Sequence, residues 1–435
     1  MFETLDPATV TEWRAGLTQA LETDSGLDDA ARVDTIRALE ELVCTATAAQ
    51  AALAAELDAS QRAEQSRLGV PAARRGRGVA AQVALARRES HHRGRLHLSL
   101  ATVVRRELPH TWRAWRAGRI TEWTATVIAR ETACLDLEDR WAVDETIASD
   151  HDRLERMGVR EVVAACQAEA TRLDVASVVA RRRRAEADRH VTLRPAPDTM
   201  TWLTALLPVK DGVAVLAALT RAGDTARASG DPRGRGQVMA DTLVGAVLGD
   251  DGTASPARVA LDVVMTDQSL FGGSDEPAHL DGFGPIPAEL ARELVVGACD
   301  RDETIWLRRL FAAPTTGELA AMDARARLFP ARLARFIRLR DRVCRTPWCD
   351  APIRHTDHAT DHDADGETSA VNGQGLCEAC NHAKQAPRWR AGPSPNTGSH
   401  TVETTTPTGH RYRSRAPTVA TVREVPIRVD YVLTG

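Results

Sequence analysis

Lysine is almost missing from this chain: of its 56 Lys and Arg residues, only Lys210 and Lys384 are Lys. Arginine suits bidentate recognition of phosphate, but a drift to arginine along a whole chain is what a GC-rich genome produces, so the bias alone assigns no partner. Aromatic residues are scarce at 4%, with two Tyr and six Phe. With Ala and Leu abundant, that favours helices over a β-sandwich. Charge of one sign is not in excess either, and a net charge of −4 excludes a chain that coats nucleic acid by bulk charge. Long apolar runs are absent. "MFETLDPATV" lacks the basic start and apolar stretch of a signal peptide, and no segment reads as a bilayer span. The expected location is therefore cytoplasmic, with no membrane partner.

What is present is 435 residues with 43% apolar content, enough for two or three domains with real cores. Residues 1–185 read as a helical domain, with apolar residues three and four apart through "TVTEWRAGLTQALETDSGLDDAARVDTIRALEELVCTATAAQ" and again in "LHLSLATVVRREL" and "TEWTATVIARETACL". His91, His92, Trp112, Trp115 and Trp123 sit at helical spacing and read as core and cap residues. "ARRRRAEADRH" closes a helix with solvated arginines. Residues 186–330 read as a smaller α+β module of the same N-terminal region. "HVTLRPAPDTMTWLTALLP" alternates as two strands, "GVAVLAALTRAGDTARA" and "GQVMADTLVGAVLG" are helices, "ARVALDVVMT" is a strand, and "FAAPTTGELAAMD" turns as a hairpin at Pro314–Gly317. Neither a Gly-rich phosphate loop nor a nucleophile elbow occurs there. Residues 331–392 form a short cysteine-bearing module, and 393–435 a β-hairpin, turning at Pro407–Gly409, with a tail.

Eight cysteines divide into two groups. Cys44, Cys134, Cys166 and Cys299 are single residues in helical sequence and read as reduced core thiols. Cys344-x4-Cys349 and Cys377-x2-Cys380 are two pairs of soft ligands, the pattern a tetrahedral Zn²⁺ requires. A module this small needs such a staple to stay folded. Four thiolates leave the metal no open position, so it is structural and any chemistry lies elsewhere. The preceding helix, "LFPARLARFIRLRDRVC", sets Arg332, Arg335, Arg338, Arg340, Arg342 and Arg345 against Asp341 alone, a local field suited to steering a polyanion.

From "CRTPWC" through "TDH", Asn372 and "CEACNHAK", the segment resembles an HNH endonuclease motif of the ββα-metal type. The whole chain is similar to actinobacterial proteins that place a long helical domain of unknown function ahead of an HNH module. The fold class this implies is mainly α, with the α+β middle module and a C-terminal ββα-metal (HNH) domain over residues 331–392, stapled by the zinc site. The resemblance also implies roles. His358 is the general base, and Asp357 gives a carboxylate to one divalent ion. Neighbours on a strand point to opposite faces, so the two need a bend or bulge to serve one site. Asn372 pins the loop carrying His358. The second ligand is Asn381, directly after the second knuckle, in preference to His382, about 100° further round a regular helix. An oxygen pair suits Mg²⁺ or Mn²⁺, whereas a His ligand shifts the preference towards Zn²⁺, Ni²⁺ or Mn²⁺. Lys384 contacts phosphate or simply ends a helix turn, and Arg335, Arg338, Arg342 and Arg345 track the backbone of double-stranded DNA.

The expected activity is thus hydrolysis of DNA phosphodiester bonds. The alternative is an inactive zinc-stapled module that binds DNA or protein. Two positions depart from the motif: Asp361 stands where many HNH sequences have Pro, and Asp365-Gly366 where two glycines are usual. With Asp363 and Glu367 they make an acidic loop, which either takes up extra cation or weakens activity. His355 and His362 read as bystanders.

Overall fold

The computed structural model describes residues 5–22, 26–248, 262–300, 329–394 and 399–418. The chain is helical up to Ala187: α1 (Pro7–Leu21), α2 (Asp29–Arg67), α3 (Val79–Arg87), α4 (His91–Glu107), α5 (Pro109–Arg116), α6 (Glu122–Glu131), α7 (Leu137–Ala148), α8 (His151–Arg156), α9 (Val159–Leu173) and α10 (Val175–Ala187). A middle stretch follows with β1 (His190–Pro195), β2 (Thr201–Leu206), α11 (Val209–Ala228), α12 (Arg235–Leu248), β3 (Val263–Val264), α13 (Asp267–Leu270), β4 (Ala278–Leu280), β5 (Gly284–Ile286) and α14 (Ala288–Asp300). Last come α15 (Ala331–Asp341), β6 (His355–His358), β7 (Gly373–Leu376), α16 (Glu378–Lys384), β8 (Arg390–Pro393), β9 (Thr401–Thr405) and β10 (Arg411–Arg415). The protein is helical with small sheets, and among the described residues no helix is long and apolar enough to cross a membrane.

Contacts gather the chain into two compact units, Met1–Glu56 with Ser99–Val178, and Leu57–Leu98 with Val179–Gly435. In the first, Asp, Thr and Gly residues start the helices: Thr121 accepts from Thr124 N, and Asp136 and Asp150 do the same for Asp139 N and Arg153 N. Its core holds Leu108, Trp115, Ile128, Val143 and Leu154. Asp144 is wholly buried and accepts from His110 N at 2.7 Å and Thr111 N at 3.0 Å, so a carboxylate on α7 caps the start of α5. Trp115 is a core residue as its spacing implies, but Trp123 is 54% exposed, with the Arg130 guanidinium 5.9 Å from its ring centroid.

The second unit does not follow a consecutive cut. Residues 57–98 return to the C-terminal segment because the apolar α3, with Val79, Ala81, Val83, Ala84 and Leu85 buried, packs on α16. Gly78, at φ 85°, lets the backbone close on Trp389 and Ala386, where a Cβ would collide. Arg388 pairs with Glu64, and Thr408 Oγ1 donates to Gln82 Oε1 at 3.1 Å. In the middle stretch β1 and β2 pair from His190↔Leu206 to Pro195↔Thr201, as their alternation predicts. The strand expected over "ARVALDVVMT" is only Val263–Val264 among the described residues, and the hairpin expected at Pro314–Gly317 lies outside them.

α15 buries Leu333 and Ile337 against Ala370, Phe329 and Phe336. Its last residue, Asp341, is 1% exposed and accepts from Arg340 Nε at 2.7 Å and from Gly375 N at 2.7 Å, with Arg345 Nη1 at 3.5 Å. Arg340 also donates to the carbonyls of Ala370 and Gly373, at 2.5 and 2.7 Å. One carboxylate thus joins α15 to β7, directly at Gly375 N and through the buried Arg340 guanidinium, with the buried Arg345 beside it. Asp341→Ala strands both charges and the Gly375 N–H, and destabilises the unit by about 3–5 kcal/mol in denaturant unfolding.

Candidate metal centre

The four clustered cysteines are buried, free, and have Sγ atoms all within 4.8 Å of one another. Cys349 Sγ lies 3.9 Å from Cys377 Sγ and 3.7 Å from Cys380 Sγ. Disulfide sulfurs sit about 2.05 Å apart, so these are not bonded. Zn–S bonds of about 2.3 Å in a tetrahedron place sulfurs about 3.8 Å apart, the spacing found here. Backbone geometry sets the pairs. Cys344 N donates to Ala351 O and Cys349 N to Thr346 O, both at 3.0 Å, with Trp348 at φ 60° between them. Cys377 is the N-cap of α16 and accepts from Cys380 N at 3.4 Å. Leu376 and Ala351 supply an apolar wall. Thiol hydrogen bonds from Cys344, Cys349 and Cys380 hold the Cys377 thiol well below its ordinary range, favouring a thiolate there. Four soft donors in this arrangement could hold a structural metal such as zinc. By contrast, burial pushes the single Cys166 thiol up to about 12, the behaviour of an inert core thiol.

Behind the cluster, β6 and β7 form an antiparallel hairpin, with His355↔Leu376 at one end and His358↔Gly373 at the other, and α16 follows. The ladder runs unbroken through Asp357 and His358, so the bend expected between them is absent. It comes one residue later, where Ala359 N donates to Asn372 O at 2.6 Å and Thr360 N to Asn372 Oδ1 at 2.8 Å. Asn372 Nδ2 donates to Thr360 O and Glu367 O, both at 2.9 Å, so its whole amide is spent clamping the loop after His358. A Cβ at Gly366 would overlap Thr360 O, which explains the glycine, while Asp365 takes φ 61°, a conformation Asp tolerates.

On opposite faces of β6, the two motif residues meet different neighbours. His358 is buried against the ring of Phe329, 4.6 Å away, and that of His362 at 5.6 Å, and its Nε2 lies 2.8 Å from Thr368 Oγ1. Burial lowers its pKa, opposed by Asp357 and reinforced by His362 and Lys384. Asp357 Oδ2 pairs with Lys384 Nζ at 2.7 Å, and the same ammonium reaches Asp361 Oδ1 at 2.6 Å and the carbonyl of His358. Lys384 is therefore the link between the two, and Asp361, in the place of the usual Pro, is one of its anchors. Three residues earlier on the same helical face, Asn381 has a buried Oδ1 with no hydrogen-bond partner among the described residues. His382 and His355 are exposed.

The expected nucleic-acid contacts need correction. Lys384 is buried and held by two carboxylates, and Arg345 is buried, donating to Ser414 O at 2.6 Å and His400 O at 3.2 Å. Neither can reach a phosphate as placed, because each fills a site inside the fold. Arg342 is half-buried, with its pKa lowered by burial, and Arg335 pairs with Asp262 at 2.6 Å. Arg338 is exposed. Thr368 and the Asp341 pair with Arg340 were not foreseen from sequence, since a hydroxyl or an adjacent Arg-Asp has no motif spacing to betray it.

Residues 35–341 match the family model described as a domain of unknown function, DUF222. The match ends with α15, so the four cysteines and the hairpin with α16 lie beyond it. No curated protein and no solved structure matches the chain.

Proposed function

The chain belongs to the DUF222 family, and on that premise we propose that its chemistry lies beyond the family domain, as metal-dependent HNH-type hydrolysis of DNA phosphodiester bonds. The observation that carries the proposal is the orphaned Asn381 Oδ1 on the α16 face whose Lys384 holds Asp357. A buried amide oxygen without a donor costs free energy unless something electropositive meets it. Asp357 and Asn381 would hold a hard divalent ion, Mg²⁺ or Mn²⁺, in keeping with their oxygen donors. Such an ion, when bound, supplies Lewis-acid stabilisation of the charge developing on the phosphoryl group and the leaving oxygen.

The remaining work belongs to the chain's own residues. In this reading His358 is the tautomer whose Nε2 donates to Thr368 Oγ1, 2.8 Å away, which leaves the Nδ1 lone pair to accept a proton from the attacking water. Burial lowers the pKa of His358 and so favours the neutral imidazole. Asn372 fixes the loop so that the ring does not wander. The four thiolates hold the start of α16, and hence Asn381, in place.

The Lys384–Asp357 ion pair, with the unbroken β6 ladder that keeps Asp357 and His358 on opposite faces, favours a second reading, a zinc-stapled DNA-binding module without turnover, in which the ammonium permanently fills the cation position. Mn²⁺ titration followed by electron paramagnetic resonance separates the two. In the nuclease reading Asn381→Ala weakens Mn²⁺ binding by about tenfold or more, as loss of a ligand does, and His382→Ala leaves it unchanged. Equal Mn²⁺ affinity in all three proteins would favour the module.

A further inference from the structure

Arg340 and Arg345 are buried and Arg342 is half-buried, so the basic surface around α15 is reduced to Arg332, Arg335 and Arg338. A second concentration of arginine lies on the three-stranded sheet of order β10-β9-β8. Residues opposite one another in a ladder share a face, as do residues two apart on a strand. Arg390 pairs with Thr405 and Thr405 with Arg411, while Glu403 pairs with Arg413, and Arg415 continues that row. Arg390, Arg411, Arg413 and Arg415 therefore stand on one face, and all four are exposed. Their alternates lie on the other face, where Tyr412 meets Trp348 of the cysteine knuckle, with ring centroids 6.0 Å apart.

One carboxylate opposes the four guanidiniums. Glu403 holds Arg413 at 2.9 Å and lies 3.8 Å from Arg411, whereas Arg390 and Arg415 meet no carboxylate among the described residues. The face lines an open cleft of about 460 Å³. Beneath it, Ala391 O lies 3.5 Å from Thr360 Oγ1, so the sheet abuts the loop that follows His358.

We infer that this sheet face is the surface that seats the phosphate backbone of duplex DNA. The choice of DNA as the polyanion rests on the nuclease reading, while the charge and exposure of the face do not. Arginines two apart on a strand are about 6.8 Å from one another. Successive phosphates of one DNA strand rise about 3.4 Å along the axis while winding round it, which sets them roughly 7 Å apart in space, so the row from Arg411 to Arg415 meets successive phosphates of one strand. Contacts of this kind are independent of sequence and dependent on salt, and they place the bound strand beside the His358 loop.

The test is fluorescence anisotropy of the full chain with a labelled duplex of arbitrary sequence, across a salt series, with zinc content and thermal midpoint confirming the fold of each variant. Arg411→Thr/Arg413→Thr/Arg415→Thr lowers affinity by about tenfold or more and reduces the slope of log K against log salt by about 2.7, at 0.9 for each phosphate contact removed. Arg390→Gln, a milder change on β8, reduces it by about 0.9. Arg332→Thr/Arg335→Thr/Arg338→Thr on α15 has the smaller effect. A sheet variant that binds with the wild-type slope overturns the inference, and if that protein still nicks DNA the nuclease reading survives alone. Duplex binding lost in the sheet variant, with no His358-dependent nicking by wild type, upholds the surface and removes the nuclease. A wild-type chain that binds no duplex overturns both.

Discussion

His358→Ala lowers the rate of DNA nicking by roughly 10²–10⁴-fold, the share a positioned general base contributes, while zinc content and duplex affinity stay at wild-type values. The size follows from placement. The imidazole is pinned by Thr368 on one nitrogen and walled by Phe329, so a water that replaces it in the variant has neither its basicity nor its fixed position. The pH profile carries a second signature. Burial disfavours the imidazolium, and the nearby Lys384 ammonium and His362 act in the same direction, so the folded pKa lies below the ordinary 6.5. A base works when neutral. The rate therefore rises with pH through that lowered pKa and levels off above it, putting the midpoint of the acid limb below 6.5. A limb centred above 6.5 would mean that Asp357 and Asp361 dominate the imidazole instead, and that its burial is not the controlling influence.

Cys377→Ser has the second large effect. Structural zinc in small peptide domains contributes about 10–16 kcal/mol of apparent binding energy at neutral pH, which is also folding energy. Cys377 is both a sulfur of the cluster and the N-cap of α16, and a Ser hydroxyl can still cap the helix, so the variant isolates the loss of the metal ligand. Bound zinc falls from one per chain to none. Hydrogen-exchange protection collapses across β6, β7 and α16, and nicking is lost with it because Asn381 rides on that helix. The helices of the other unit, whose core around Trp115 and Ile128 contains no part of the cluster, keep their protection. Retention of zinc and of α16 protection in this variant would show the cysteines to be a reduced apolar cluster rather than a metal clip.

Much of the local design could be read from the sequence because it rests on short-range rules. Paired cysteine spacing foretold the four-sulfur cluster, whereas the loop-pinning role of Asn372 came only from the resemblance to the HNH motif. Three-and-four periodicity found the helices up to α10. Tertiary partnership was not legible. Arg345 reads as a basic residue free for phosphate, and Lys384 as a phosphate contact or a helix end. Yet the carbonyls of His400 and Ser414 that hold the first and the carboxylates of Asp357 and Asp361 that hold the second come from residues remote in sequence. Burial of a charge is decided by such partners, and no window of sequence contains them. The return of residues 57–98 to the C-terminal segment was hidden for the same reason, since α3 is an ordinary apolar helix until α16 and Trp389 are set against it. The arginines of "RYRSR", by contrast, alternate with the period of a strand, and the pattern alone puts them on one face. Their meaning emerged only when Arg390 joined them from a neighbouring strand.

The most direct test of the central claim is nicking of supercoiled plasmid by the purified full chain, with Mg²⁺, Mn²⁺ or EDTA, and with His358→Ala beside the wild type. The account predicts nicking by the wild type with either ion, none in EDTA, and loss of nearly all activity in His358→Ala. If neither protein cuts under any condition while both bind duplex DNA and retain zinc, the hydrolytic function is contradicted, and the cysteine clip supports a binding module instead.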